Sequence, residues 1–147
     1  MQALPKVGCF EAFKMGICKY AVFSGRSRRS EYWFFHLTYA LLYGICAIPA
    51  CFIKDTDTAN KTISIISLVY NLIFLLPCLG LSVRRLHDTG RSGWYILLDL
   101  LPIIGNFILI YFFVCDSEEQ TNEYGPSPKY KQIKDTFLSS NIQMNNY

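Results

Sequence analysis

The chain has 147 residues, of which 52% are hydrophobic and 16% aromatic, enough for one domain and rich in apolar side chains for a soluble protein of that size. Its formal charge of +3 argues neither for nor against a nucleic-acid partner, so the placement of the basic residues carries the information. No G-x-S-x-G elbow, H-E-x-x-H or phosphate-loop pattern occurs, and nothing identifies an enzyme.

The first thirty residues lack a compact apolar core followed by a small-residue cleavage site, so no cleavable signal peptide is expected and the first span itself should direct insertion. Phe10, Phe13, Ile17, Tyr20 and Ala21 recur at helical spacing. They predict an amphipathic N-terminal helix, lying flat at the membrane interface or packed on the bundle's own loops.

Three apolar runs follow, 32–52, 63–83 and 94–114. Each is about twenty residues, and at ~1.5 Å per residue that length covers a ~30 Å hydrocarbon core. The fold class expected is therefore all-α: a helical integral membrane protein with three transmembrane helices, forming a single membrane domain over 1–134. The Ser- and Asn-rich end, 135–147, reads as disordered.

Arg26, Arg28 and Arg29 immediately precede the first run, which the positive-inside rule assigns to the cytoplasm together with the N-terminus. Lys54, Asp55, Asp57 and Lys61 balance in the next loop, as an outside loop permits, whereas Arg84, Arg85 and Arg91 make the following one basic and inside. Pro102 and Gly105 break the third run into pieces of about eight and twelve residues. The spacing predicts a kinked crossing that leaves the acidic segment Asp116, Glu118, Glu119 and Glu123 outside. A run that dips in and returns would leave it inside.

Cys9, Cys18, Cys46, Cys51, Cys78 and Cys115 form no C-x-x-C pair and read as free thiols. With only His36 and His87 to join them, neither a metal nor a cofactor is expected.

The stretch around which the rest is arranged is Arg84 to Trp94, a charged island between two apolar runs. It has an internal echo: Ser24-Gly25-Arg26-Ser27 precedes the span that opens with Trp33, and Thr89-Gly90-Arg91-Ser92 precedes the span that opens with Trp94. Both tryptophans suit head-group depth, each glycine can end a helix, and each following serine can cap the next one. Turns of this kind aim free N–H groups at an anion. Arg26, Arg28, Arg29, Arg84, Arg85, His87, Arg91 and Ser92 are accordingly candidates for an anionic phospholipid head group. The competing reading is a structural staple, with the arginines fixing topology and pairing with Glu31 and Asp88. On a helix continued past Val83, Arg84 and Arg85 stand four and three residues before Asp88, within pairing reach. His87 as a general base would need a carboxylate beside it, and Asp88, adjacent on a helix, points about 100° away.

Within the runs, His36 and Asp99 are the costliest residues in hydrocarbon and lie at matching depth, which predicts that they meet. Asn71, near the middle of the second run, predicts an interhelical hydrogen bond.

Four ordered motifs carry a family resemblance: Phe23-Ser24-Gly25-Arg26-Ser27-Arg28-Arg29-Ser30-Glu31-Tyr32-Trp33, then Arg84 through Trp94, then Pro102-Ile103-Ile104-Gly105, then Asn122-Glu123-Tyr124-Gly125-Pro126-Ser127-Pro128. The chain resembles the YhaH/YhaI-type family of small bacterial inner-membrane proteins, a domain of unknown function. The resemblance implies a protein of the bacterial cytoplasmic membrane, which the three apolar runs would make multi-pass, and supplies no catalytic residues. Asp116-Ser117-Glu118-Glu119 departs from the Pro- and Gly-rich segment usual there, and neither His36 nor Asp99 belongs to the motifs. The expected function is a non-enzymatic membrane module whose cytoplasmic Arg-rich face binds anionic lipid, a membrane-protein partner or a second copy of the chain as a homo-oligomer, with no nucleic-acid role. The alternatives are a transporter or channel subunit built on His36, Asn71 and Asp99, and a membrane-embedded enzyme using His87.

Overall fold

The computed structural model describes residues 2–5 and 7–131; the tail expected to be disordered, 135–147, lies outside them. In chain order the elements are β1 (Gln2–Ala3), α1 (Cys9–Cys18), α2 (Arg29–Ala47), a 3-10 helix (Ile48–Phe52), α3 (Thr56–Asp88), a second 3-10 helix (Gly93–Leu100), α4 (Ile104–Val114) and β2 (Tyr130–Lys131). They divide into two compact units, with α3 passing from one into the other at Ser82 and Val83.

The helical unit comprises 7–23 and 30–82. Its helix α1 is the amphipathic segment expected, and one face of it packs. Phe13 stacks on Phe35 with ring centroids 5.6 Å apart, and Phe74 lies 6.3 Å from Phe13. The other face is open, with Phe10 81% exposed. Aromatic rings fill the seam between α2 and α3: Tyr70 lies 4.9 Å from Tyr39, 5.4 Å from Tyr43 and 4.6 Å from Phe74. Such pairs add ~0.5 to 1.5 kcal/mol each beyond the area they bury.

Asp55 starts α3 as its N-cap, its carboxylate accepting the Thr58 N–H at 2.9 Å and so satisfying a donor that the first turn leaves free. At 33 residues α3 is about 50 Å long, more than a ~30 Å hydrocarbon core requires, so its ends emerge. Pro77 lies inside it and has no N–H for the Ile73 carbonyl four residues back. The hydroxyl of Tyr20 supplies the missing donor, at 2.6 Å.

Among the described residues α2 and α3 are the two helices long and apolar enough to cross a membrane, and only 11% and 17% of their most apolar windows are buried. A core helix of a soluble protein would bury most of that surface. Here Leu37, Leu41, Ile45, Leu68 and Leu72 point outward, each at least half exposed.

The second unit contains 24–29, the end of α3 from Val83, and the chain beyond. Here the third apolar run departs from the kinked crossing that its length suggests. Leu101 before Pro102 is extended (φ −93°, ψ 100°), as the residue before a proline prefers, and Ile103 takes a positive φ of 69°. The chain reverses there. The second 3-10 helix and α4 then pack against each other: Tyr95 meets Phe112 edge-on at 5.8 Å, and Gly105 lies so close to Leu98 that a Cβ would overlap its carbonyl oxygen. A residue near the start of the run thus touches one near its end, as in a hairpin. The 11 residues of α4 reach about 16 Å, half of a hydrocarbon core. After Val114 the chain returns to the end of α3, where Glu118 N–H donates to the Asp88 carbonyl at 3.1 Å. β2 then pairs antiparallel with β1, Ala3 opposite Tyr130.

Candidate functional site

The arginine turn begins where α3 stops. Gly90 N–H donates to the His87 carbonyl at 3.1 Å and Arg91 N–H to the Leu86 carbonyl at 3.0 Å, the paired bonds of a Schellman cap, with Gly90 at the required positive φ of 68°. A Cβ at Gly90 would also meet the carboxylate end of the exposed Glu118 side chain, which can swing aside, so the positive φ is what favours glycine here. Ser92 then caps the following 3-10 helix, accepting from Trp94 N–H at 3.4 Å. Both caps stand where the sequence places them.

Asp88, 0% exposed, is the centre. Its Oδ1 accepts from Arg26 Nε at 3.0 Å, and its Oδ2 from Arg85 Nη1 and the Ser117 hydroxyl. Arg26 also donates through Nη2 to the carbonyls of Asp88 (3.2 Å) and Glu118 (2.7 Å), and through Nη1 to those of Gln120 (2.7 Å) and Gly125 (3.2 Å). A guanidinium has five N–H donors. All five of Arg26 therefore meet protein oxygens.

Arg85, equally buried, reaches the other way. Its Nε donates to the Phe113 carbonyl at 3.1 Å, its Nη2 to that of Cys115 and its Nη1 to that of Ser27 at 3.4 Å. Arg29 Nη1 takes the Val114 carbonyl between them at 3.2 Å. Two cations thus hold three consecutive carbonyls at the C-terminal end of α4, where the helix dipole favours positive charge. Arg29 also pairs with Asp116 at 2.9 Å, as does Lys129 at 2.6 Å. Partial burial opposes ionisation of Asp116, but its bonds to Lys129, the Ser117 N–H and Arg29 outweigh that and hold its carboxyl below the usual range.

The other candidates are placed as follows. Arg28 holds the N-terminal segment through the carbonyls of Pro5 (2.5 Å) and Leu4 (3.3 Å). Arg84 is buried, its carbonyl accepting the Ser27 N–H at 3.0 Å. His87 is locked between Gly25, whose carbonyl is 3.2 Å from Nδ1, and Tyr124, whose ring stacks on it at 3.8 Å. Arg91 is half-buried, and its side chain makes one hydrogen bond among the described residues, to the Thr89 carbonyl at 3.3 Å, with its guanidinium 4.0 Å over the Phe112 ring. Trp33 and Trp94 are 44% and 78% exposed.

Glu31 is buried in the helical unit, where its Oε1 meets no hydrogen-bond partner among the described residues. His36, in the same unit, lies with Nδ1 2.9 Å from the Tyr32 carbonyl, whereas Asp99 belongs to the second unit and is exposed. Asn71 does make an interhelical bond, accepting from Tyr39 at 2.9 Å, while its amide donates to the Ser67 carbonyl at 2.7 Å. The five described cysteines are free. Among the described residues no three metal-ligating side chains gather.

Sequence reasoning missed Ser117, Asn122, Phe112 and Tyr124. Asn122 closes a turn with Gly125 through bonds of 3.2 and 3.0 Å and donates to the His87 carbonyl at 2.9 Å. The signal for it lay in the motif Asn122 to Pro128, which the resemblance singled out without a reason.

Two long, outward-apolar helices and a buried arginine–aspartate knot at the end of one of them define a helical integral membrane protein. The chain belongs to the family described as protein of unknown function (DUF805), which matches residues 20–126. It is 39% identical over 111 residues to inner membrane protein YhaI of Escherichia coli (strain K12), covering 76% of this chain and 89% of that protein. Inner membrane protein YhaH of the same strain is 34% identical over 110 residues, with 75% and 89% covered. No solved structure matches. The protein is thus one of the inner membrane, as the resemblance implied.

Proposed function

We propose that this is a non-enzymatic module of the inner membrane, with its N-terminus and arginine turn at the cytoplasmic interface, which binds anionic phospholipid head groups at the rim of that turn. The observation that carries the reading is a division among the arginines. Arg26 and Arg85 are buried and engaged by protein oxygens, so they build the corner. The Arg91 side chain makes one 3.3 Å bond among the described residues, and Arg29, although it holds the Val114 carbonyl and Asp116, keeps its side chain 43% exposed. A guanidinium used inside the fold cannot also hold a phosphate, whereas one at the rim can, each basic residue near an anionic surface contributing ~1 kcal/mol. The exposed Trp94 favours head-group depth for the same rim.

The test is native mass spectrometry of protein solubilised with phosphatidylglycerol and phosphatidylcholine, wild type beside a variant carrying Arg29→Gln and Arg91→Gln. Phosphatidylglycerol should stay on the wild type and leave the folded variant. A bare wild type, or equal retention by both, overturns the reading. Arg85 is unsuited to this test because its loss would open the knot.

A further inference from the structure

The second 3-10 helix turns once every three residues, so side chains three apart stand above one another. Trp94 and Leu97 form one ridge, Tyr95 and Leu98 the next, and these four line a groove of about 300 Å³. Its walls are apolar and its mouth is open, with Trp94 78% and Leu97 52% exposed. Asp99 falls on the third ridge, after Gly93 and Ile96, away from the groove.

Phe112 ties this groove to a cation. Its ring carries the Arg91 guanidinium at 4.0 Å and meets the edge of Tyr95 at 5.8 Å. Positive charge therefore stands one ring away from a wall of the apolar groove.

Resting on the head-group reading above, we infer that Arg91 and this groove form one seat for a whole diacyl phospholipid, the phosphate at Arg91 and one acyl chain between the two ridges. The charge arrangement matches a molecule with an anionic head and a hydrocarbon body. The hairpin's length matches too, because α4 reaches only about 16 Å, half of a ~30 Å hydrocarbon core. The groove is therefore confined to the depth that a chain from the same leaflet occupies.

Two measurements test the seat. In a Trp33→Phe background Trp94 is the sole tryptophan, and bromine on an acyl chain quenches it on contact. In phosphatidylcholine vesicles containing an equal fraction of one brominated lipid, brominated phosphatidylglycerol should compete for the site about fivefold better than brominated phosphatidylcholine, the preference one basic residue confers. Arg91→Gln should abolish that difference. Equal quenching by the two lipids in the unaltered site overturns the seat. In the second measurement Leu97→Trp fills the groove and should release the phosphatidylglycerol that native mass spectrometry finds on the wild type; unchanged retention overturns the groove. If Leu97→Trp fails to fold, the quenching decides alone. Lipid retained through Arg29 and Arg91 but insensitive to both groove tests leaves the head-group reading standing and removes the seat, whereas a bare wild type removes both.

Discussion

Arg26 and Asp88, 62 residues apart in sequence, meet at 3.0 Å in a site where both side chains are almost wholly buried. The pair joins the segment before α2 to the end of α3, and Arg26 carries the tail with it through the carbonyls of Glu118, Gln120 and Gly125. Removing one partner of such a pair strands the other's charge, which costs ~3 to 5 kcal/mol. Asp88→Ala should therefore abolish folding or lower the unfolding midpoint steeply. Arg26→Lys should do nearly as much, because an ammonium has three donors against the five in use. Thermal unfolding in detergent measures both, and wild-type stability in the Arg26→Lys variant would refute the five-donor account.

Tyr20 and Pro77 form a second such dependence. Tyr20→Phe removes the donor that the Ile73 carbonyl receives in place of a helical N–H, and should cost ~0.5 to 1.5 kcal/mol. Pro77→Ala restores that N–H, so Tyr20→Phe should cost less in its presence. A double-mutant cycle measures the coupling, and strict additivity would mean that the hydroxyl does not serve the proline's orphan.

The knot's local half was legible in the sequence and its long-range half was not. Arg85 and Asp88 stand three apart on a helix, Gly90 ends that helix and Ser92 caps the next; each is a rule about neighbouring residues. The partners of Arg26 and Arg85 are mostly backbone carbonyls between 113 and 125, and a carbonyl has no residue-type signature. Pro102 and Gly105 were visible as a break. What separates a kink from a reversal is the approach of Gly105 to the Leu98 carbonyl, a contact that spacing does not encode. His87 was legible as a titratable group in a polar turn, but not its stacking on Tyr124, which takes the ring into the fold.

Asp116 sets a pH dependence whose sign can be worked out. Its folded carboxyl titrates below the unfolded value of about 3.9, so its stabilisation is complete above pH ~4 and is lost as pH falls through the folded value. The side chain is 46% exposed, so solvent screening holds the contribution below ~1 kcal/mol. Asp116→Asn should lower stability at pH 7 by that small amount and leave it unchanged near pH 2. An equal loss at both pH values would show that the ion pairs with Arg29 and Lys129 contribute nothing.

The reversal at Pro102 has a consequence for topology. Arg85 and Arg29 hold the carbonyls of Phe113, Val114 and Cys115, so the segment after α4 must emerge on the face that carries the arginine turn. In a background without native cysteines, Glu119→Cys and Ser24→Cys place thiols on the two segments, and Lys54→Cys places one in the loop between α2 and α3. A membrane-impermeant maleimide applied from one side should label positions 119 and 24 together and position 54 only from the opposite side. A kinked crossing would instead group 119 with 54. That grouping would break every bond between the arginines and the end of α4, so the labelling pattern tests the knot and the hairpin at once.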